Sequence, residues 1–445
     1  MNTLRDILAA SLVMLTMSCS NDDYLNVIPM ESIAIASIDL MQNQSPDECG
    51  IGDVLKDIIG FEDITECGLD ISSKIYAFET PDGTIGLVAR VENADDVTKQ
   101  FVSMYSKGKC TSPEQHRGNT FVLIDNSWLA GYSDEALIVI GPITSMQRVA
   151  TEQKMQKMFR RDDGNDVRES KMFMKLDSIN APISIVARMS ALPEKLILPF
   201  TLGMPKEADL SQIILSVGMN HEDGMAVIHG KTFSFNRGID IKLKENDKIF
   251  RNITDDMLDN LPSNSLCHMF MNAEGNELLK VMQQNRSTQV LLVGANTVVD
   301  MDNILRSVNG NIVFSFPNLD GDFYFKARLH KKDFLADVGY WKLSCPAGSK
   351  MIDAGKDTYV YINDDVKFCF SVSSDNIFIS SLFHGSTDND VRNTSYCALP
   401  EEVKSKVVGS KLAMLFNTDK IRNETFAGIM RSLSGGTTKI MYIKE

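Results

Sequence analysis

The sequence lacks the clustered cations and the paired metal ligands that mark several common functional classes. Lys and Arg number 45 against 59 Asp and Glu, a net charge of −14, and no basic run occurs. Nucleic-acid binding needs clustered cations to neutralise phosphates, so it is disfavoured. The eight cysteines form no CxxC pair, and the six histidines lack the i, i+4 spacing of a helical zinc site. We therefore expect no metal and no other cofactor.

Recognisable catalytic loops are also missing from the sequence. Gly230-Lys231-Thr232 looks like the end of a phosphate-binding loop, but Met225 stands where the motif needs glycine. Phe233-Ser234-Phe235 then predicts a strand, where phosphate binding needs a helix N-terminus. Gly131-Tyr132-Ser133-Asp134-Glu135 lacks the second glycine of a hydrolase elbow. We assign no catalytic residue and expect a protein that is not an enzyme.

The first 18 residues are unlike the rest of the chain. Arg5 supplies a positive start, Ile7–Met17 is an apolar stretch too short to span a bilayer, and Ser18 precedes Cys19. This pattern predicts a signal peptide over residues 1–18 and a lipid on Cys19, through which the protein would attach to a membrane. Thr16 stands where lipoprotein signals usually have Leu. An ordinary signal peptide or a buried N-terminal helix is the alternative.

A short acidic tether, residues 19–26, follows the predicted anchor. Its Ser20-Asn21-Asp22-Asp23 resembles the surface-export signal of lipoproteins in Bacteroidetes-type bacteria, and a merely solvated linker is the alternative. Further along, Asp177-Ser178-Ile179 resembles the short O-glycosylation motif of exported proteins from the same group, which makes Ser178 a candidate for modification. The first signal concerns export and the second concerns a modification, and neither indicates a reaction.

Internal similarity predicts that the body is a tandem repeat. Val88-Ala89-Arg90-Val91 matches Lys326-Ala327-Arg328-Leu329 at an offset of 238 (326 − 88). The same offset places residues 119–125 on residues 357–363 without a gap. An offset of 233 (262 − 29) aligns Pro29 and Ser32 with Pro262 and Ser265. The period is too long for a solenoid, so we predict two divergent domains, residues 27–250 and 251–445.

Each predicted domain has an α+β pattern. Pro81-Asp82-Gly83 predicts a tight turn between two strands, and Val97, Phe101 and Met104 predict one apolar face of a helix. Short strands separated by tight turns favour antiparallel pairing. The predicted fold class is therefore two tandem α+β repeats, each an antiparallel sheet with helices packed on one side.

Two segments carry a resemblance to a known family. The run Tyr24-Leu25-Asn26-Val27-Ile28-Pro29 with Ser37-Ile38-Asp39-Leu40, and later Lys326–Leu329 with Gly339-Tyr340-Trp341, resembles a Bacteroidetes outer-membrane lipoprotein family of unknown function. The resemblance implies a protein anchored in the cell envelope and facing the exterior, with no assigned reaction.

Two functional hypotheses follow from the sequence. The first is a non-enzymatic binding or structural role at the envelope, with a protein or glycan partner that the sequence does not identify. The second is an exported hydrolase acting on a glycan or peptide polymer through some of its dispersed acidic residues. A pocket with convergent polar groups would favour the hydrolase, whereas an exposed apolar patch would favour partner binding.

Overall fold

The computed structural model describes residues 22–42, 60–61, 66–160, 166–192, 197–317, 322–364, 366–381, 395–421 and 437–445. The chain divides into two compact units. Unit 1 consists of Met1–Met41 with Leu55–Ser178, and unit 2 consists of Gln42–Val54 with Ile179–Glu445. The predicted domain boundary between residues 250 and 251 separates two similar stretches of sequence, and it stays a prediction.

Unit 1 is built on an antiparallel sheet. Its strands are β1 Ala34–Ile38, β2 Ile75–Glu79, β3 Ile85–Arg90, β4 Glu114–His116, β5 Asn119–Ile124, β6 Trp128–Tyr132 and β7 Ala136–Gly141. Hydrogen bonding orders them β1-β2-β3-β7-β6-β5-β4, and every neighbouring pair is antiparallel. The predicted turn at Pro81-Asp82-Gly83 joins β2 to β3, with Gly83 at a φ of 76°.

The described helices of unit 1 are α1 Ala94–Ser106, α2 Arg148–Met158 and α3 Lys171–Asp177, with 3₁₀ turns at Asp23–Val27 and Val167–Glu169. Helix α1 begins where the side chain of Asn93 accepts hydrogen bonds from the amides of Asp95 and Asp96. Its buried residues are Val97, Phe101 and Met104, as their spacing predicts.

Helices contact both faces of the unit 1 sheet. Phe101 of α1 stacks on Tyr132 of one face at 5.6 Å between ring centroids. Phe173 of α3 stacks on Tyr76 of the other face at 5.5 Å. The expectation that helices pack on one side is therefore wrong for this unit, although the α+β class is confirmed. The reason is visible in β7, which is buried at every position and so needs cover on both faces.

Unit 2 has a larger sheet of mainly antiparallel strands. Its main strands are β8 Ile183–Arg188, β9 Ile214–Glu222, β10 Met225–Phe233, β12 Cys267–Glu274, β13 Val308–Phe316, β14 Tyr324–Leu329, β15 Lys350–Gly355, β16 Thr358–Ile362, β17 Lys367–Ser373, β18 Asn376–Ser380, β20 Leu412–Asn417 and β21 Lys439–Lys444. The order is β8-β9-β10-β21-β20-β12-β13-β14-β18-β17-β16-β15, and only β10 and β21 pair in parallel among these. A separate two-stranded bridge joins β11 Leu261–Pro262 to β19 Tyr396–Cys397.

The described helices of unit 2 are α4 Leu198–Thr201, α5 Arg237–Asp247, α6 Gly275–Gln284, α7 Arg286–Asn296, α8 Met301–Arg306, α9 Val338–Leu343 and α10 Glu401–Val407. Short 3₁₀ turns lie at Met189–Ala191, Leu210–Gln212, Asp333–Asp337 and Thr418–Lys420. Two core clusters form on opposite faces of the sheet. One holds Trp341 of α9 with Phe370, and the other holds Val403 of α10 with Phe270.

The strand order β1-β2-β3-β7-β6-β5-β4 of unit 1 recurs in unit 2 as β12-β13-β14-β18-β17-β16-β15. Helix α9 lies between β14 and β15 as α1 lies between β3 and β4. A common strand order is what the two-repeat interpretation requires, but duplication itself stays a prediction. A least-squares superposition of an experimental structure of the two units would test it.

The gapless alignment of residues 119–125 with 357–363 is wrong in register. It pairs Phe121 with Tyr359, yet Phe121 faces Phe159 after α2, on the side of the sheet away from α1. Tyr359 lies instead under Lys342 of α9, whose Nζ is 5.0 Å from the ring centroid. Because neighbouring strand residues face opposite ways, the structural match must differ from the sequence alignment by an odd number of residues.

Candidate functional site

An irregular segment, residues 251–263, crosses one face of the unit 2 sheet just before β12, and we call it the strap. Ile253 and Leu258 of the strap are buried against Phe270 and Val313 of that face. Apart from the short bridge at Leu261–Pro262, the strap forms no helix or strand. Its backbone carbonyls therefore need partners outside regular secondary structure.

Asparagines of β12 and β13 supply the first partners of the strap. The Asn272 side-chain amide donates to the carbonyl of Asn252 at 2.8 Å. The Asn311 amide donates to the carbonyls of Thr254 at 2.9 Å and Asp256 at 2.7 Å. The Asn311 oxygen in turn accepts a hydrogen bond from the backbone N–H of Thr254 at 3.2 Å. Asn311 is 1% exposed, so these bonds are made away from water.

Strand β14 supplies further side-chain partners of the strap. Tyr324, Lys326 and Arg328 are alternate residues, so they project from one face. The Tyr324 hydroxyl donates to the carbonyl of Asn260 at 3.3 Å, and Arg328 pairs with the Asp256 carboxylate at 3.1 Å. The side chains of β12 to β14 thus hold the strap from Asn252 to Asn260.

Lys326 is the most unusual member of this set, because it is only 5% exposed. Its Nζ donates to the carbonyl of Asp259 at 3.1 Å and lies 5.7 Å from the centroid of the Phe378 ring. Burial lowers the pKa of Lys326, while the charges of Asp259 and Asp256 oppose that shift. Its ammonium is used as a hydrogen-bond donor to the strap.

A buried serine–histidine contact lies on the same face. His268 and Ser315 are cross-strand partners on β12 and β13, and His268 Nδ1 is 2.8 Å from Ser315 Oγ. Burial lowers the pKa of His268 to about 4, so its imidazole is neutral at pH 7. Such a contact can activate a serine nucleophile. Ser315, however, is 0% exposed, so no substrate can reach its hydroxyl in this fold.

Of the residues that the sequence predicts for anchoring and export, Cys19, Ser20 and Asn21 lie outside the described residues. Asp22 and Asp23 are exposed at the start of a 3₁₀ turn, Asp23–Val27. The next residue, Tyr24, is already buried, and its hydroxyl donates to the carbonyl of Lys74 at 2.9 Å. The described fold therefore begins within five residues (24 − 19) of Cys19.

Ser178 lies at the end of α3 and is exposed. Its hydroxyl donates to the carbonyl of Lys175 at 2.7 Å, an ordinary closing contact for a helix. Ser178 belongs to unit 1, whereas the strap belongs to unit 2. Its exposed hydroxyl is sterically open to a modifying enzyme.

The rejected loop motifs are turns and strands in the structure. Lys231 and Thr232 lie within β10, Met225–Phe233, as strand residues. Ser133 closes the turn between β6 and β7, where its hydroxyl accepts from the amides of Glu135 and Ala136, each at 3.2 Å. Neither motif forms the loop geometry of a phosphate site or a nucleophile elbow.

Within the part of the chain that the structure describes, no three His, Cys, Asp or Glu side chains gather closely enough to hold a metal ion. No helix in the same ranges is both long enough and apolar enough to cross a bilayer.

Sequence reasoning missed the strap contacts altogether. Their residues appear in the sequence as polar positions alternating with apolar ones, as in Tyr324-Phe325-Lys326-Ala327-Arg328. This pattern usually indicates a strand with one face in water. In the structure that face is covered by the strap. Because the strap is almost entirely irregular, its sequence shows no helix or strand pattern that would have predicted it.

The chain matches a protein family described as "Domain of unknown function (DUF4836)" over residues 52–385. That match spans more than half of the chain, including β2 to β7 of unit 1, the strap and β12 to β18 of unit 2. The chain belongs to this family. As its description says, DUF4836 carries no assigned function, so membership adds no catalytic or binding residue to those described above.

Solved structures similar to this chain include two crystal forms of TP0453. Form IV matches at 10% identity and a TM-score of 0.30, covering 46% of this chain and 77% of that one. Form I matches at 11% identity and a TM-score of 0.30, covering 50% and 82%. Likeness at this level carries no argument about fold or function. No curated protein matches the chain.

Proposed function

We propose that this DUF4836 protein is a lipid-anchored component of the cell envelope, attached to the outer membrane and facing the exterior, with a non-enzymatic binding or structural role. The observation that carries the second half of the proposal is the strap. Lys326 donates to a carbonyl of the strap, and the His268–Ser315 contact is buried on the same face. Lys326, His268 and Ser315, the side chains best suited to take part in a reaction, are thus buried and hydrogen-bonded to other residues of the chain.

The anchoring half of the proposal rests on Cys19 and on how soon the fold begins after it. From Cys19 to the buried Tyr24, an extended chain spans at most about 17 Å. A lipid on Cys19 would therefore hold unit 1 close to the headgroups, with exposed Asp22 and Asp23 between them. In a lipoprotein of Bacteroidetes type, residues 20–23 would act as the export signal.

Replacement of Cys19 tests the anchor. Cys19→Ala should remove the lipid and with it the attachment to the outer membrane, and it should leave an unprocessed chain of higher polypeptide mass. Protease treatment of intact cells should cleave the wild-type chain if it faces the exterior, and full protection would contradict surface display. The acidic tether is tested separately, because Asp22→Asn with Asp23→Asn should reduce surface display without reducing membrane attachment.

Modification of Ser178 is a smaller part of the same proposal. Its support is the sequence Asp177-Ser178-Ile179 and the exposure of Ser178 at the end of α3. Intact-mass measurement of the protein from its native host should show added mass that Ser178→Ala removes. An unmodified wild-type chain would contradict this part and leave the anchor untouched.

An exported hydrolase remains the alternative, and one observation favours it, the 2.8 Å contact between His268 Nδ1 and Ser315 Oγ. This alternative would require the segments that bury Ser315 to move away from it. A fluorophosphonate probe that forms an ester with an activated serine should then label wild-type protein at Ser315 and spare His268→Gln. Under our proposal the probe labels neither protein, because Ser315 is inaccessible.

A further inference from the structure

Helix α7, Arg286–Asn296, is apolar on two opposite sides. On its inner side Leu292 is buried with Leu279 of α6 and Leu305 of α8. On its outer side Val290 and Val293 are 66% and 62% exposed. A surface helix normally carries polar or charged residues on the side opposite the core, so an outer side with two exposed valines has the character of a contact surface.

The outer side of α7 also lacks charge. Residues 287–299 contain no Asp, Glu, Lys or Arg, although such residues make up 23% of the chain. Depletion of charge is characteristic of the centre of a protein–protein interface. Gly294 adds to this surface, since a Cβ built there would meet nothing within 4 Å.

We propose that the outer side of α7, centred on Val290 and Val293, is the contact surface between two copies of this chain. Each copy has a net charge of −14, so two copies repel each other over most of their surface. The charge-free side of α7 is a place where they can meet without bringing like charges together. Isologous pairing, the commonest symmetry of protein dimers, would place α7 against α7.

The composition of α7 argues against a lipid surface as the occupant. Helices that lie in a membrane interface are typically rich in Lys and Arg, with aromatic residues on the buried side. Residues 286–296 contain one basic residue, Arg286 at the first position, and no aromatic residue. A protein surface is therefore the better match for this side of the helix.

The size of the surface sets the expected strength of the contact. An 11-residue helix is about 16 Å long, which is small beside the roughly 800 Å² that each partner buries in a stable complex. We therefore expect a weak dimer, with a dissociation constant on the order of 100 µM in solution.

Sedimentation equilibrium of the full mature chain without its acyl group tests the proposal. The average mass should rise with concentration for the wild type. Val290→Asp and Val293→Asp should each weaken association at least about tenfold, because each places a charge in the contact. Val149→Asp is the matched control, since Val149 is 65% exposed on α2 and should leave association unchanged. A monomeric wild type at millimolar concentration would overturn the proposal.

A second measurement does not depend on the aspartate variants folding well. Val293→Cys should form an intermolecular disulfide that links residue 293 to residue 293, and Val149→Cys should form none, because linked Cα atoms must lie within about 7 Å. Equal cross-linking of both variants would overturn the proposal. A result that assigns this surface to lipid would also overturn the proposal. In that result Val293→Asp associates as the wild type does, but it loses the binding to phosphatidylcholine vesicles that the wild type shows.

Discussion

The segment before β1 in unit 1 and the strap before β12 in unit 2 are in equivalent positions. Each packs on the sheet face away from one helix, which is α1 between β3 and β4 in unit 1 and α9 between β14 and β15 in unit 2. In unit 1 this segment, residues 22–33, is held by buried apolar side chains, among them Leu25, Val27 and Ile28. In unit 2 the strap is held in large part by side-chain hydrogen bonds from Asn311, Lys326 and other polar residues.

The two segments end alike, which makes their difference more informative. Ser32 donates to the carbonyl of Pro29 at 2.6 Å, and Ser265 donates to the carbonyl of Pro262 at 3.0 Å. Burial of apolar surface is indifferent to direction and to pH. Hydrogen bonds are directional, and the sheet face under the strap also carries the titratable group His268. Similar positions in the two units should therefore respond differently to substitution and to acid.

The largest expected effect is in unit 1. Ile28 is 0% exposed, so Ile28→Ala should lower the free energy of unfolding by about 4 kcal/mol, through lost burial and the cavity left behind. Urea denaturation checks this value, which should be the same at pH 5 and pH 8. Met30→Ala, in the same segment but at an exposed position, should cost less than about 1 kcal/mol. Equal losses from both variants would show that segment 22–33 is not held by burial.

Acid should act on unit 2 through His268. Its folded pKa of about 4 lies below the unfolded value of 6.5, so the unfolded chain binds more protons between these two values. Stability is thus lost as pH falls from about 6.5 to 4, by about 3 kcal/mol in total. His268→Gln should remove this part of the pH dependence in urea titrations, and exposed His330→Gln should retain it. An unchanged slope in His268→Gln would contradict the account.

Loss of the Asn311 side chain should weaken the strap directly. Asn311→Ala removes bonds to the carbonyls of Thr254 and Asp256 in a buried place, and should cost about 2 kcal/mol. Asn180→Ala, at an exposed position of unit 2 away from the strap segment, is the control and should cost less than about 0.5 kcal/mol. If the two variants unfold at the same urea concentration, the bonds to the strap contribute no net stability.

The smallest effect is expected for Arg328. Its partner is Asp256, and the two side chains are 44% and 38% exposed, so solvent screens the pair. Arg328→Ala should change the free energy of unfolding by at most about 0.5 kcal/mol, and 1 M NaCl should abolish the difference. A loss above about 1 kcal/mol that persists in salt would mean that the rim of the strap matters as much as its buried centre.

Local patterns in the sequence predicted the elements that depend on local physics. Helix α1 followed from the spacing of Val97, Phe101 and Met104, and the turn at residues 81–83 followed from its residue types. The α+β class follows from such elements. The cover on both faces of the unit 1 sheet could have been suspected from Ala136–Gly141, because an unbroken apolar run indicates a strand buried on both sides.

Features that depend on distant parts of the chain could not be predicted. The residues next to Lys326 in the sequence do not reveal its contact with residues 257–259, because these positions are nearly 70 residues away along the chain. The register error at Phe121 and Tyr359 has the same origin, since the packing of a helix decides which face a strand residue takes. The anchor at Cys19 rests on the sequence alone.

Hydrogen exchange in Lys326→Met tests the central claim, that side-chain donors hold the strap, most directly. Methionine keeps the apolar stem of the lysine but cannot donate to the carbonyl of Asp259. The account predicts at least about tenfold faster amide exchange in residues 251–263, with exchange in residues 22–33 unchanged. Replacing a buried charge by an apolar residue can also stabilise a protein. Strap exchange that is unchanged or slower in Lys326→Met would therefore contradict the account.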